Sequence, residues 1–142
     1  MHIVCSHCFA INRLDADRLG EHPLCGTCGS PLLTGEPANL DERHFATFVG
    51  RNDLPVVVDF WANWCGPCHA MTPQFAAAAK LLTGSVMFAK VETDHAQRIS
   101  AQYQIRSIPT VILFLNGVES SRRTGAMSSQ QITQWVRSVQ PR

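Results

Sequence analysis

Net charge is nearly absent from this sequence. Twelve lysines and arginines stand against eleven aspartates and glutamates, a formal charge of +1 over 142 residues. That balance gives no electrostatic case for nucleic acid or an anionic membrane as the main partner. Long apolar runs are missing as well. The longest aliphatic and aromatic run near a strand is Val111-Ile112-Leu113-Phe114-Leu115, against the ~18 or more residues of a membrane span. The N-terminus has no basic segment followed by a sustained apolar stretch, so no secretory signal is expected and a cytoplasmic location is. No low-complexity tract occurs, and nothing demands more than a monomer. What is present is 45% hydrophobic and 16% charged residues, enough apolar material for a packed core.

The cysteines carry the chemistry. All six sit in C-x-x-C pairs: Cys5/Cys8, Cys25/Cys28 and Cys65/Cys68. In a cytosolic chain structural disulfides are rare, and paired cysteines point to metal or redox chemistry. Residues 1–34 have weak apolar periodicity and turn residues at Gly20, Pro23, Gly26, Gly29 and Pro31. A unit under ~40 residues needs a metal, disulfides or docking to be stable. Cys5-x2-Cys8-x16-Cys25-x2-Cys28 fits a four-cysteine zinc site, closed, tetrahedral and structural. The competing assignment is two disulfides or two further redox pairs. A disulfide closing so short a loop is worth about 2 kcal/mol, whereas structural zinc gives roughly 10–16 kcal/mol of apparent binding in small modules. One Zn²⁺ held by Cys5, Cys8, Cys25 and Cys28 is therefore expected. Arg13 and Arg18 are offset by Asp15, Asp17 and Glu21, so the ribbon has no basic stripe for nucleic acid.

The stretch Thr34-Gly35-Glu36-Pro37 reads as a linker, dividing the chain into a metal module, 1–34, and a second unit, 35–142. Asn39 with Glu42 has the spacing of a helix cap, with Phe45, Phe48 and Val49 on one face. Pro55 to Trp61 is an almost continuously apolar, β-branched run that predicts a strand buried on both faces. Gly66-Pro67 opens a helix that reaches Leu82 and stops at Gly84, with a kink expected at Pro73. Ser85–Val91 reads as a strand, and Asp94 with Gln97 starts another helix. Thr110–Leu115 and Val118–Gly125 form a hairpin through Asn116-Gly117. Ser128 with Gln131 caps a last helix whose Ile132, Trp135, Val136 and Val139 fall on one face. The alternation predicts a mixed α/β sheet covered on both faces.

Cys65 falls where a buried strand ends and a helix begins. Free N–H groups and a positive partial charge there favour a thiolate. The dipole supplies only ~0.3–1 kcal/mol at an exposed site, less than the ~1.4 kcal/mol of one pKa unit. Hydrogen bonds to the sulfur must add to it. Cys68 lies one turn deeper on the same face, so the sulfurs can meet. Gly66 and Pro67 put little bulk over Cys65, leaving it open to an outside disulfide. Asp59 stands inside an apolar run, where an ionised carboxylate is costly and its pKa should rise.

Phe60-Trp61-Ala62-Asn63-Trp64-Cys65-Gly66-Pro67-Cys68 resembles the active-site segment of the thioredoxin family. The likeness extends through Asp59, Pro73, Lys90, Asp94, Ile105–Thr110, Phe114–Gly117 and Gly125-Ala126, over about residues 39–139. With its cysteine-rich extension the chain is similar to the zinc-binding, thioredoxin 2 type. The resemblance implies a five-stranded mixed sheet, four helices and protein-disulfide reductase activity, regenerated by an NADPH-dependent thioredoxin reductase. It implies that Cys65 attacks a client disulfide and Cys68 resolves the mixed disulfide, with Asp59 moving the Cys68 proton. It implies a cis Ile108–Pro109 bond, with Pro109 keeping metal-binding side chains from the thiols. Trp64, Ile108, Gly125 and Ala126, with Gly66 and Pro67, would form the docking patch, and Lys90 would tune Asp59. His69, Thr93 and Thr124 depart from the family's common residues and bear on partner choice. His2, His7, His22, His44 and His95 read as surface or loop. The competing functions are a disulfide oxidase or isomerase using the same cysteines, and a zinc-dependent protein-binding or holdase module.

Overall fold

The computed structural model describes residues 1–139. Residues 140–142, the end of the predicted second unit, lie outside the described part. The chain opens with a small antiparallel pair, β1 (His2–Val4) and β2 (Ile11–Arg13), followed by a 3₁₀ turn at Ala16–Glu21. Next come β3 (Ala38–Asn39), α1 (Glu42–Arg51), β4 (Val56–Trp61), α2 (Gly66–Leu81) and β5 (Met87–Glu92). A 3₁₀ turn at Thr93–His95 leads into α3 (Gln97–Gln102), β6 (Thr110–Leu115), β7 (Val118–Thr124) and α4 (Ser129–Val139).

The main sheet has the order β3-β5-β4-β6-β7. Its first three strands are parallel, and β6 and β7 are antiparallel to their neighbours. The expected mixed five-stranded sheet with four α-helices is what the described residues form. Strand β4 lies at its centre, and its alternation sorts the core into two layers. Val56, Val58 and Phe60 face one layer with Phe45, Phe48 and Val49 of α1. Val57 faces the other with Met71, Phe75 and Ala78 of α2 and Ile132, Trp135 and Val136 of α4.

Local signals explain most elements. Asn116 and Gly117 have φ of 52° and 79°, the positive pair that a two-residue hairpin turn requires. Ser128 accepts from the Gln131 N–H at 3.1 Å while the Gln131 side chain accepts from the Ser128 N–H at 2.9 Å, the predicted reciprocal cap. Two helix starts differ from expectation. Asn39 is not a cap: it pairs with Lys90 as part of β3. The cap of α1 is Asp41, which accepts from the His44 N–H at 2.9 Å. Asp94 likewise lies in the 3₁₀ turn, and α3 begins after Ala96. Pro73 sits inside an unbroken α2.

Residues 1–34 do not stand apart from the sheet. Ile3, Val4, Cys5, Cys25 and Leu32 are buried in the same cluster as Phe45, Phe48, Val56 and Phe114. Val4 N–H donates to the buried Asn52 side chain at 2.8 Å, and that side chain donates to the Phe48 carbonyl at 2.8 Å. His2 and Asp53 exchange two hydrogen bonds: the His2 N–H donates to the Asp53 carboxylate at 2.6 Å and the Asp53 N–H donates to the His2 carbonyl at 2.9 Å. Strand β1 is thus zipped to the C-terminal end of α1. Among the described residues no helix is long and apolar enough to cross a membrane.

Candidate functional site

Cys65 is the N-cap of α2, with extended backbone (φ −92°, ψ 110°), and its sulfur accepts the Cys68 N–H at 3.2 Å. Among caps this one uses sulfur where serine or aspartate is usual. No acidic side chain occupies the first turn, so nothing there opposes negative charge on the sulfur. Cys65 and Cys68 are bonded to each other, with Cα atoms 5.3 Å apart. Both are buried, Cys68 1% exposed and Cys65 5%. Gly66 and Pro67 beside it are exposed.

The Ile108–Pro109 bond is cis and lies against this pair. The Ile108 carbonyl is 3.8 Å from the Cys65 sulfur, and the Pro109 carbonyl accepts the Gly125 N–H at 2.8 Å. Gly125 has φ of 98°, a conformation that favours glycine. The structure therefore brings Cys65, Ile108, Pro109 and Gly125 to one end of the sheet, with Ala126 exposed beside them. Trp64 is 72% exposed, and its indole N–H donates to Asp94 at 3.0 Å. Trp61 and Ile108 are half-buried against the cluster of Ala62, Cys65 and Cys68.

Asp59 is fully buried, and neither carboxyl oxygen has a hydrogen-bond partner among the described residues. Alternation along β4 places it on the α2 side, between Val57, packed on Met71 and Phe75, and Trp61, packed on Cys68. Burial pushes its pKa up to about 7, and the positive charge of Lys90, its register partner on β5, pulls in the opposite direction. The Lys90 ammonium rests 4.6 Å from the centroid of the Trp61 ring, a cation–π contact. A buried carboxyl titrating near neutrality is suited to proton exchange.

At the other end of the chain the four remaining cysteine sulfurs lie within 4.8 Å of one another. The closest pairs are Cys5–Cys28 at 3.7 Å and Cys8–Cys25 at 3.6 Å. A tetrahedron with metal–sulfur bonds of ~2.3 Å has edges of about 3.8 Å, so the donor set fits one metal. N–H groups converge on the sulfurs: His7 and Cys8 on Cys5 at 3.4 and 3.5 Å, and Thr27 on Cys25 at 3.4 Å. Donation from the Cys28 backbone, the Asn12 amide and the Thr27 backbone pulls the Cys25 thiol down to about 6, favouring a thiolate.

Two family models match the chain: "Thioredoxin" over residues 36–138 and "Thioredoxin 2, N-terminal" over residues 4–30. The chain belongs to the thioredoxin family. Thioredoxin C-3 of Corynebacterium nephridii is 44% identical over 136 residues, covering 96% of this chain and 93% of its own. A thioredoxin of Rickettsia felis is 40% identical over 98 residues, 69% of this chain and 93% of its own. In fold, a mutant thioredoxin from Halobacterium salinarum aligns with a TM-score of 0.68 at 27% identity, covering 76% of this chain and 94% of that one. Like other thioredoxins, the protein is a thiol-disulfide oxidoreductase with Cys65–Cys68 as its redox-active disulfide, and its N-terminal ribbon is a metal-binding cluster.

Sequence reasoning missed four contacts around these sites. Asn12 donates to the Cys25 sulfur at 3.5 Å and accepts the Gly26 N–H at 2.9 Å, a partnership across 13 residues that no spacing rule encodes. Asp94 holds the Trp64 indole. His44, expected at the surface or in a loop, lies in α1, half-buried, stacked on Phe9 at 4.2 Å and bonded to Asp41 at 2.9 Å. His69 donates through Nε2 to the Asn63 carbonyl at 2.6 Å.

Proposed function

We propose that the protein is a cytoplasmic thioredoxin that reduces disulfides in client proteins, draws electrons from an NADPH-dependent thioredoxin reductase, and carries one structural Zn²⁺ on Cys5, Cys8, Cys25 and Cys28. The observation that carries the reading is the Cys65–Cys68 pair at the start of α2, with the buried Asp59 carboxyl, unpartnered among the described residues, on the α2 side of β4. In the reduced protein the Cys65 thiolate attacks one sulfur of a client disulfide. A Cys65–client bond forms, and the other client sulfur leaves as a thiolate that takes a proton from solvent. Cys68 then gives its proton, through an intervening water, to the Asp59 carboxylate and attacks Cys65, breaking the Cys65–client bond. The Cys65–Cys68 bond forms and the client leaves fully reduced, having gained the two electrons that the dithiol lost. Trp64, Ile108, Gly125 and Ala126 present the docking face, and the Ile108 backbone pairs with extended client chain. Zinc would hold the two N-terminal turns together through four thiolates, leaving no position open for chemistry. Insulin reduction driven by NADPH and thioredoxin reductase, with zinc quantified in the same sample, tests the whole reading. Turnover with one zinc per chain supports it. Absence of turnover with Cys65 free and several reductases tried overturns it in favour of an oxidase or isomerase.

Asp59 gives a pH-dependent prediction. Its folded pKa of about 7 stands above the ordinary 3.8, so the fold binds this proton more tightly than the unfolded chain does. The stabilisation is complete below pH 4 and is lost as pH rises through about 7. At ~1.4 kcal/mol per unit this amounts to about 4 kcal/mol. Asp59→Asn should therefore gain about that much relative to the parent between pH 4 and pH 8, read from urea midpoints. A difference that stays constant with pH would remove Asp59 as the titrating group. The same variant should slow the resolving step near neutrality, which rapid-quench analysis of the mixed disulfide measures.

A further inference from the structure

The residue after the second redox cysteine has no part in the exchange chemistry described above, yet it touches the nucleophile's loop. His69 is the fourth residue of α2 and is exposed. Its ring reaches back across the C-x-x-C turn to the Asn63 carbonyl at 2.6 Å and stands edge-on to Trp61, with centroids 6.2 Å apart. A carbonyl oxygen can only accept, so Nε2 carries the hydrogen in this contact. Asn63 and Trp64 are the central residues of a turn closed by the Cys65 N–H on the Ala62 carbonyl at 3.2 Å. Fixing the Asn63 carbonyl therefore fixes the plane of the Asn63–Trp64 peptide. Neighbouring groups of this loop are tied to another element: the Thr93 hydroxyl donates to the Trp61 carbonyl at 3.2 Å and the Trp64 indole N–H donates to the Asp94 carboxylate at 3.0 Å. Side-chain hydrogen bonds thus tie the segment 61–64 to α2 at one point and to residues 93–94 at two. Of these three ties only that of His69 acts on the peptide from which the Trp64 side chain departs.

We propose that His69 is a positioning residue for client recognition: its imidazole N–H locks the Asn63–Trp64 peptide and so holds the exposed Trp64 ring in the attitude that a protein client meets. The proposal rests on the assignment of Trp64 to the docking face. It makes the N–H, rather than the charge or bulk of the ring, the functional feature. A glutamine, whose side-chain amide also donates, should replace it, whereas alanine should not.

The experiment compares the parent with His69→Ala and His69→Gln by two readouts. In ¹⁵N-resolved NMR of the oxidised protein without client, His69→Ala should shift the Trp64 amide and indole cross-peaks and speed hydrogen exchange at the Trp64 amide, and His69→Gln should largely restore both. In insulin reduction His69→Ala should raise KM about twofold to tenfold, the equivalent of one hydrogen bond, with a smaller change in kcat and recovery in His69→Gln. Unshifted Trp64 signals in His69→Ala overturn the lock, and equal impairment of both variants overturns the role of the N–H. Trp64→Ala, run alongside, separates the two layers: an unchanged KM in that variant removes the docking assignment, whereas the NMR readout of the lock does not depend on it.

Discussion

Cys65→Ser is expected to lower disulfide turnover to the background of the assay, a loss of at least about a thousandfold, while Cys68→Ser accumulates a stable mixed disulfide with the client. The asymmetry follows from burial and capping. Cys65 receives the Cys68 N–H at 3.2 Å and lies beside the exposed Gly66 and Pro67, so its thiolate is both favoured and reachable. Cys68 is 1% exposed and faces inward, where a client sulfur cannot approach but the Cys65 sulfur can. A serine hydroxyl in place of Cys65 is a far weaker nucleophile toward sulfur and cannot form the mixed disulfide. A serine in place of Cys68 leaves the first step intact and removes the second. Insulin turbidity gives the rate, and non-reducing gels with mass spectrometry give the trapped species. Trapping by Cys65→Ser and not by Cys68→Ser would reverse the two roles. Retained client binding in the double variant, with holdase activity and no requirement for sulfur, would instead favour the binding-module reading.

Much of this site was legible because its residues are neighbours in sequence or belong to elements with strong patterns. The apolar run through Val56–Trp61 announced a central strand, and Gly66-Pro67 announced the helix whose first turn carries Cys68. Asp59 stood out because an acid inside such a run has few ways to be satisfied, and the structure leaves its oxygens without a partner. Short elements were not legible. Strands β1 and β2 have three residues each and β3 has two, too few for a period to appear. The failure at Asn39 is instructive, since asparagine followed three residues later by glutamate fits a capping box equally well inside a strand end. What decides the matter is the parallel pairing of Asn39 with Lys90, a contact fifty-one residues away in the chain. The seating of the N-terminal segment was hidden for the same reason. Asn52 and Asp53 bind β1 across about fifty residues, and no local pattern marks either residue as a clasp.

That seating sets the expected consequence of metal removal. Two C-x-x-C turns joined by a metal hold Cys5 and Cys25 in the same buried cluster as Phe45, Phe48 and Val56. Ile3, Val4 and Leu32 are 2% exposed or less in it, and each such side chain is worth about 1.5–3 kcal/mol when taken out of water. Without the metal, residues 1–34 keep only their apolar seat and the β1 hydrogen bonds to Asn52 and Asp53, and a segment under ~40 residues rarely stays ordered without a staple. Their departure would also uncover Phe48 and strip the Val4 N–H from Asn52, a residue only 1% exposed. Chelation under reducing conditions is therefore expected to destabilise the sheet itself, lowering Tm by about 10 °C or more, since a domain of this length loses roughly 3–5 °C per kcal/mol. Calorimetry with and without chelator, with the released metal measured by a chromogenic dye, tests this. A single transition that moves down as metal leaves would show that the ribbon and the sheet unfold together. A Tm that stays put after complete metal loss would mean that contacts of the kind made by Val4, Asn52 and Asp53 hold the segment without it. Asn52→Ala discriminates further: it should cost about 1–3 kcal/mol in the metal-loaded protein by orphaning the Val4 N–H, and much less once the segment has already let go.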